Sequence, residues 1–326
     1  MWSLKRISKP IPWMIGVDFG AHSIKALELT GESSDYQIAA RASVATPPGC
    51  LVDHQVRDIN ALVLALKQLR RQFNRRSQSV ATAITGNGVI TKIITLPAHV
   101  PAELFEHHIL LAAEQHLSFP LDEISLDYQL LPPSESTAQQ PRVLLSAART
   151  EAINMRVKAL HMAGWRPKVM DVGAHALARA VMASLEHNPK AGTLLALVDI
   201  GAHSLTFMVL ENRELTYHRV QHLDTPSGEP FVEEDARIAL IQQHLQRNLQ
   251  LFSSNTAQNA PAILWVCGGG SLVPNLVERL AQRLDIEVAY PDFTSLVNSP
   301  AAQQSELLPY GCALGLALRS LMPCPK

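Results

Sequence analysis

The sequence VDFGAHSI at residues 17–24 returns almost unchanged as VDIGAHSL at residues 198–205, with six of the eight positions identical. An apolar run typical of a buried strand precedes each copy, and a second strand-like run follows it. The repeated unit is therefore a strand, an Asp-x-Gly turn and a strand. Glycine lets such a turn close its N–H groups around a phosphate, and the aspartate can hold a hydrated Mg²⁺. Two facing turns would bind one nucleotide from both sides.

Length and composition are those of a protein with a substantial core. A chain of 326 residues suggests two domains, and 47% hydrophobic with 17% charged residues is ordinary. The net charge of −1 gives no reason to expect a nucleic-acid partner. No apolar run reaches the roughly 18 residues of a transmembrane helix, and no cleavable signal is recognisable. The cysteines have no close spacing, which favours reduced thiols in a cytoplasm: Cys50, Cys267, Cys312 and Cys324.

Two segments are rich in cations. Residues 1–13, MWSLKRISKPIPW, would either touch an anionic membrane or form a disordered end, and the second reading is favoured because chain ends are usually disordered. A helix is predicted over Asp53–Arg76, with Asp53 as its N-cap. It ends in arginines that would bind phosphate or, as we prefer, complement the helix dipole: Arg70, Arg71, Arg75 and Arg76.

Residues 89–164 differ in character and are predicted to form a small inserted α+β subdomain. The pattern predicts a strand, a helix over Glu103–Leu117, a strand pair and a final helix that Thr150 caps. The first helix carries three histidines, which are metal ligands or surface residues: His107, His108 and His116. Surface positions are favoured, because the first two point to different helix faces and no carboxylate is in ligand register with the third.

Two more features point toward a nucleotide site. Asp171 lies at a predicted strand-to-helix junction, where it is either an acid that positions water or an N-cap. The apolar strand at 262–267 leads into Gly268–Ser271, with sequence GGGS, and then into a predicted helix over Leu272–Leu284. A purine or ribose can lie on such a backbone at the positive end of a helix. A glycine triplet alone is weak, but beside two Asp-x-Gly turns it becomes the third part of one site.

Together these motifs resemble the actin-like nucleotide-binding superfamily. The resemblance rests on two phosphate motifs, an adenosine motif and a closing helix: Asp18–Lys25, Asp199–Thr206, Gly268–Ser271 and Gly315–Arg319. Within that superfamily the chain is most similar to the type IV pilus assembly protein PilM family. That similarity also covers segments at 89–92, 126–128, 144–149 and 171–179.

The resemblance implies an α/β, actin-like (ribonuclease H-like) fold of two domains. Residues 1–88 and 165–190 would form the first domain, with the C-terminal helix 308–321 packing back onto it. Residues 89–164 would be the inserted α+β subdomain. Residues 191–307 would form the second domain, whose cap is shortened because the interval 213–252 has room for little more than one helix.

Site roles follow from the same resemblance. Asp18 and Asp199 would face Mg²⁺ through water. The first phosphate cradle would be Gly20, Ala21, His22, Ser23 and Lys25, with Lys25 as a direct cation. The second would be Gly201, Ala202, His203, Ser204 and Thr206. Adenosine would lie over Gly268, Gly269, Gly270 and Ser271. His22 and His203 stand where the family usually has Ser or Thr.

The implied function is that of a scaffold in the cytoplasm, recruited to the inner membrane face. It would bind the N-terminal tail of a PilN-like bitopic membrane protein between the first domain and the insertion, alongside other pilus inner-membrane components. ATP with Mg²⁺ would bind weakly or not at all, because the shortened cap leaves less of the ligand buried. Any hydrolysis would be slow.

Three other classes of function remain open. A small-molecule kinase of the superfamily is less favoured, because no aspartate stands out as a general base and the chain is short. A filament-forming protein like FtsA would be expected to end in an amphipathic helix, which residues 322–326, MPCPK, cannot form. A degenerate actin-like adaptor of a related secretion or DNA-uptake machine would have a different membrane partner.

Overall fold

The computed structural model describes residues 13–32, 35–98, 100–117, 120–132, 140–186, 194–223, 234–256, 261–297 and 304–320. The strands, in chain order, are β1 (Ile15–Phe19), β2 (Ser23–Glu32), β3 (Asp35–Ala45), β4 (Leu51–Val52), β5 (Gln55–Val56), β6 (Ser79–Ile84), β7 (Val89–Thr95), β8 (Ile124–Leu131), β9 (Arg142–Arg149), β10 (Arg166–Val172), β11 (Leu194–Ile200), β12 (Ser204–Glu211), β13 (Glu214–His222), β14 (Ile263–Cys267) and β15 (Glu287–Ala289). The helices are α1 (Ile59–Arg70), α2 (Phe105–His116), α3 (Thr150–Met162), α4 (Gly173–Ser184), α5 (Glu234–Thr256), α6 (Leu276–Ala281), α7 (Phe293–Leu296), α8 (Gln304–Leu307) and α9 (Gly311–Leu318).

Two five-stranded sheets share one topology. The first has the order β10-β6-β1-β2-β3 and the second β15-β14-β11-β12-β13. In each, three consecutive strands form an antiparallel meander, and two later strands add in parallel beside the first strand of the meander. The short sequence repeat is thus the visible part of a duplicated sheet, and the predicted two-part α/β architecture is confirmed.

Helices α4 and α9 lie between the two sheets. Their apolar residues join side chains of β2 and of the second sheet in one core, including Leu29, Leu177, Leu197, Met208 and Leu314. Helices α1 and α3 cover the outer face of the first sheet, and α5 and α6 cover that of the second. The result is five layers that alternate helices with sheets, so the apolar faces of both sheets are buried.

The central helix layer depends on direct contact between backbones. A Cβ at Gly315 of α9 would lie 1.7 Å from the carbonyl oxygen of Ala176 in α4. One at Gly16 of β1 would lie 1.9 Å from the carbonyl oxygen of Ala313 in α9. Because no side chain fits at either position, glycine sets the spacing of the layer.

The insertion interrupts the first sheet between two neighbouring strands, β6 and β10. It contains the sheet β7-β9-β8, with α2 packed on one face around Ile94, Ile109 and Val143. Helix α3, which the sequence prediction assigned to the insertion, instead buries Ala159 and Leu160 in the core of the first sheet. The separately packed part therefore ends with β9.

Helix α3 also begins differently from the prediction. Its N-cap is Arg149, and no side chain caps the helix there. The hydroxyl of Thr150, which was predicted to cap it, is 3.0 Å from that of Ser125 in β8. This contact ties the first turn of α3 to the edge of the inserted sheet.

The first helix is shorter than the sequence indicates. It begins at Ile59, where Asp58 caps it by accepting hydrogen bonds from the N–H groups of Asn60 and Ala61. Asp53 is not the N-cap, because residues 51–56 form the β4–β5 hairpin with Asp53 and His54 at φ of 49° and 61°. The apolar spacing of Val52 and Val56 suits a short strand pair as well as a helix.

Two further features of the described residues concern metal binding and membrane insertion. Within them, no group of three or more His, Cys, Asp or Glu side chains is arranged to hold a metal ion. His107 is exposed, and Nδ1 of His108 contacts the carbonyl oxygen of Leu104 at 2.9 Å. In the same part of the chain, no helix has the length and apolar character needed to cross a membrane.

Gly315→Ala is expected to lower the free energy of unfolding by roughly 2–4 kcal/mol, because the new methyl group would displace the backbone of α4. Urea titration followed by circular dichroism would measure the loss. The matched control is Gly269→Ala, where no heavy atom lies within 4 Å of the new Cβ and a change within about 1 kcal/mol is expected. Equal stability of the two variants would contradict the backbone contact.

Candidate functional site

A cavity of about 540 Å³ opens where the two sheets approach each other. Both Asp-x-Gly turns line it, together with the glycine turn after β14, so the structure brings the three predicted motifs together at one cavity. The predicted residues that line the cavity are Asp18, Gly20, Ala21, His22, Ser23, Lys25, Asp199, Gly201, Ala202, Ser204, Thr206, Gly268, Gly269 and Gly270. That nucleotide occupies this space remains a prediction.

Two predicted residues do not line the cavity. His203 has an exposed side chain, and its carbonyl oxygen accepts a hydrogen bond from the N–H of Leu223. Ser271 is buried, and its hydroxyl donates to the carbonyl oxygen of Gly268 at 2.6 Å. It caps no helix, because α6 begins only at Leu276.

The late start of α6 has a local cause. Residues 269–272 form a 3₁₀ turn, and Pro274 forces Val273 into an extended conformation, with φ −59° and ψ 128°. The predicted helix over Leu272–Leu284 is therefore wrong at its start, and the glycine turn leads into a 3₁₀ turn instead of an α-helix N-terminus.

Asp171 lies outside the cavity lining. Its carboxylate accepts a hydrogen bond from Arg179 Nη2 at 2.9 Å, and Arg319 Nε is 3.8 Å from the same oxygen. The N-cap of α4 is Val172. Asp171 is thus an ion-pair partner that joins β10 to α4 and the end of α9, and neither sequence-based reading of it holds.

The two turns are built alike. In the first hairpin Asp18 pairs with Lys25, and in the second Asp199 pairs with Thr206 at the same register position. In each turn the glycine carbonyl oxygen accepts a hydrogen bond from a side chain of another element. That of Gly20 accepts from Thr46 Oγ1 at 2.6 Å, and that of Gly201 accepts from Arg237 Nη2 at 2.6 Å.

Electrostatic repulsion links the two carboxylates. Burial raises the pKa of Asp199 to about 6, repulsion from Asp18 adds to this, and Lys25 opposes it. The Cys312 thiol donates a hydrogen bond to Asp18, and burial raises the pKa of Cys312 well above its ordinary value. Since two carboxylates share a confined space, a cation between them would relieve their repulsion.

Gly268 joins the third turn to the second carboxylate. Its φ is +89°, and a Cβ there would lie 2.3 Å from Asp199 Oδ1 and 2.5 Å from the carbonyl oxygen of Ile200. The close approach holds the glycine turn against the end of β11, so the third motif and the second turn form a continuous wall.

Sequence reasoning missed Arg237 and His54. Arg237, in the first turn of α5, lines the cavity, and its buried Nε has no hydrogen-bond partner. Nδ1 of His54 contacts the hydroxyl of Thr85 at 2.9 Å, and its Nε2 contacts that of Ser204 at 3.4 Å. The ring therefore bridges the loop after β6 of the first sheet and the start of β12 in the second sheet. The helical pattern around 53–76 concealed His54, and no local motif marks Arg237.

A buried arginine supports His54 from behind. Arg156 of α3 is 1% exposed, and it donates hydrogen bonds to the carbonyl oxygens of His54 and Ala152. Burial lowers the pKa of Arg156 to about 10, and Asp18 opposes that shift. Arg156 is therefore still charged at neutral pH, so a cation lies behind the cavity.

The residues present fit a magnesium-bound nucleotide. Two carboxylates suit a cation whose other ligands are water or phosphate, and the glycine turns leave space that a Cβ would fill. Lys25 and Arg237 supply positive charge at the two turns, and the unpartnered Nε of Arg237 is a donor that an anion would satisfy.

A duplicated sheet with two Asp-x-Gly turns around one cavity defines an actin-like protein. Solved structures agree with this fold: the ethanolamine utilization protein EutJ from Carboxydothermus hydrogenoformans is similar at 16% identity and a TM-score of 0.54, over 94% of this chain and 91% of that one. The cytoplasmic domain of EpsL, an inner-membrane component of the Vibrio cholerae type II secretion system, is similar at 12% identity and a TM-score of 0.50, over 91% and 93%.

A more similar solved structure and a family model identify the family within the actin-like proteins. The structure of a PilM-PilN type IV pilus biogenesis complex matches at 26% identity and a TM-score of 0.82, over 96% of this chain and 100% of that one. The family model for type IV pilus assembly protein PilM matches residues 16–226 and 229–321. The chain belongs to the PilM family of type IV pilus assembly proteins.

Asp199→Asn is expected to change how stability depends on pH. Because folding raises the pKa of Asp199 from 3.8 to about 6, this residue's stabilising contribution is complete below pH 4 and is lost as the pH rises through 6. Between pH 4 and 7 the free energy of unfolding of the wild type should fall by about 2 kcal/mol relative to the variant. Urea titrations across this range measure the difference.

The control for this experiment is Asp285→Asn, which removes an exposed carboxylate of the second domain. The difference in free energy of unfolding between this control and the wild type should stay nearly constant over the same pH range. If the difference in free energy of unfolding between Asp199→Asn and the wild type did not change with pH, burial and the neighbouring Asp18 would not disfavour the ionised form of Asp199.

Proposed function

We propose that this protein is a scaffold of the type IV pilus inner-membrane assembly complex and binds the cytoplasmic N-terminal tail of a PilN-like bitopic membrane protein. The observation that carries the proposal is the similarity to the PilM-PilN complex, at a TM-score of 0.82 with that chain covered completely. Family membership supports a role in pilus assembly.

The insertion has the surface that such a partner needs. Five of the ten large hydrophobic side chains exposed in the described chain belong to it: Leu104, Leu110, Leu111, Tyr128 and Leu130. They lie on α2, on the 3₁₀ turn before it and on the edge strand β8. Exposed apolar side chains gathered on one small module favour a protein-binding surface.

The cavity supports a second, weaker role in binding ATP with Mg²⁺. The first turn, with Lys25, and the second turn would hold the phosphates, Asp18 and Asp199 would hold the hydrated ion, and residues 268–270 would lie against the adenosine. A bound Mg²⁺ would neutralise phosphate charge. Asp171 is engaged by Arg179 and gives no free base, which favours slow hydrolysis or none.

Affinity for nucleotide is expected to be low. Between β13 and β14 the described chain has one helix, α5, to cover the second-domain side of the cavity. Cofactor sites bind tightly by burying most of the ligand, so a cavity with a short wall binds weakly. A scaffold whose partner surface lies on the insertion can work with a sparsely occupied cavity.

Leu111→Asp is expected to reduce capture of the membrane partner by at least about tenfold, because it puts a charge among the exposed apolar side chains of α2. The measurement is affinity capture of the tagged protein from solubilised inner membranes, with mass spectrometry to quantify a single-span pilus assembly protein. The control, Leu272→Asp, adds the same charge at an exposed apolar residue that lies outside the insertion and after the glycine turn. Equal capture by both variants, or no single-span protein with the wild type, would contradict the proposal.

Titration of MgATP by calorimetry is expected to give a dissociation constant weaker than about 10 µM, or no heat of binding. Where binding is measurable, Lys25→Gln should weaken it by about tenfold, since it removes a cation at the phosphates. Lys67→Gln, which removes an exposed cation of α1, is the control. Micromolar or tighter binding by the wild type would show that the short wall costs little affinity.

A further inference from the structure

At the edge of the first sheet that lies opposite the cavity, the chain enters three strands. Strands β1, β6 and β10 are parallel and begin at this edge, whereas the Asp-x-Gly turn follows the far end of β1. The N–H of Arg166 donates to the carbonyl oxygen of Gln78 at 2.7 Å, and Arg70 Nε donates to that of Gly164 at 3.0 Å. Residues 70–79 and 162–168, with Trp13, therefore form one continuous surface, which we call the basic edge.

Cations dominate the basic edge. It exposes five of them: Arg71, Arg75, Arg76, Arg166 and Lys168. Within the described residues, none of these five side chains forms an ion pair. The carboxylate of Glu28 accepts a hydrogen bond from Ser77. Because the whole chain has a net charge of −1, this concentration of positive charge is a local feature.

Apolar side chains are exposed on the same edge. Trp13 is 38% exposed where the chain enters β1, and Met162 is 44% exposed at the end of α3. In the sequence, Trp13 is preceded by Lys5, Arg6 and Lys9, which lie outside the described residues. A surface that combines cations with an exposed tryptophan and methionine has the chemistry of a membrane interface.

We propose that the basic edge binds the anionic headgroups of a phospholipid bilayer. Guanidinium groups donate two parallel hydrogen bonds to a phosphate, and five cations on one edge, none of them ion-paired with a described residue, add their attraction to an anionic surface. The apolar pair favours a bilayer over a nucleic acid, because an indole ring is stable at the boundary between headgroups and acyl chains. The proposal is independent of partner binding at the insertion and of nucleotide in the cavity.

Co-sedimentation of the full chain with lipid vesicles tests this proposal. One set of vesicles contains phosphatidylcholine alone, and the other contains phosphatidylcholine with phosphatidylglycerol. Binding is expected only to the anionic set, and it should be lost between about 0.1 M and about 0.5 M salt, because screening shortens the reach of the surface charge. Equal binding to both sets, or no binding to the anionic set, would overturn the proposal.

The decisive variant combines Arg71→Gln, Arg75→Gln and Arg76→Gln. Each basic side chain at an anionic surface contributes roughly a fivefold factor in partitioning, so the triple variant should bind at least about tenfold more weakly. The matched control combines Arg219→Gln, Arg247→Gln and Arg283→Gln, which removes three exposed cations of the second domain and the same net charge. An equal loss in both triple variants would overturn the proposal, because it would reflect overall charge alone.

Two further measurements keep the result unambiguous. Both triple variants should melt within a few degrees of the wild type, because the replaced side chains are exposed and form no described ion pair. If the triple variant of the basic edge melts well below the wild type, the double variant Arg166→Gln and Lys168→Gln replaces it. Binding of the wild type to single-stranded RNA but not to anionic vesicles would assign the edge to a nucleic acid and overturn the membrane proposal.

Discussion

The contact of α9 with β1 on one side and α4 on the other is the constraint on which the molecule depends. At Gly16 and Gly315 the polypeptide backbones meet directly, and no side chain separates them. Both contacts belong to the helical layer that the two sheets share. The layer in turn brings the ends of β1 and β11 to a common opening, so the cavity is a result of close packing.

The sequence predicts features that repeat or that follow a strong period. The Asp-x-Gly hairpins were predictable because both copies retain the same turn residues and the same flanking strands, and the insertion because its pattern interrupts them. Features set by distant contacts were not predictable. His54 reaches the cavity because a tight hairpin replaces the first turn of a predicted helix, and Asp171 turns away because it pairs with Arg179, eight residues further along the chain. Pro274 shows that one residue can displace a helix start.

Opposing charges are arranged in layers around the cavity. Asp18 and Asp199 face it, Lys25 and Arg237 flank them at the turns, and Arg156 lies behind in the core. The buried guanidinium holds the carbonyl oxygen of His54 and offsets part of the charge of Asp18. Lys25 offsets part of the repulsion at Asp199, and the backbone carbonyl oxygens of His54 and Ala152 hold Arg156 in place behind Asp18. The insertion connects to the same region through α3, the helix that carries Arg156.

Helix α3 begins at the insertion and ends at the basic edge, so the length of this helix fixes the distance between the two surfaces. A helix of 13 residues is about 20 Å long, so the inserted sheet lies about that far from the surface that Met162 and Arg166 share. An extended peptide advances about 3.3 Å per residue. If the basic edge rests on the bilayer, a membrane-anchored tail that binds the insertion would need about six residues to pass along the side of the first sheet, and this distance would set a minimum length for such a tail.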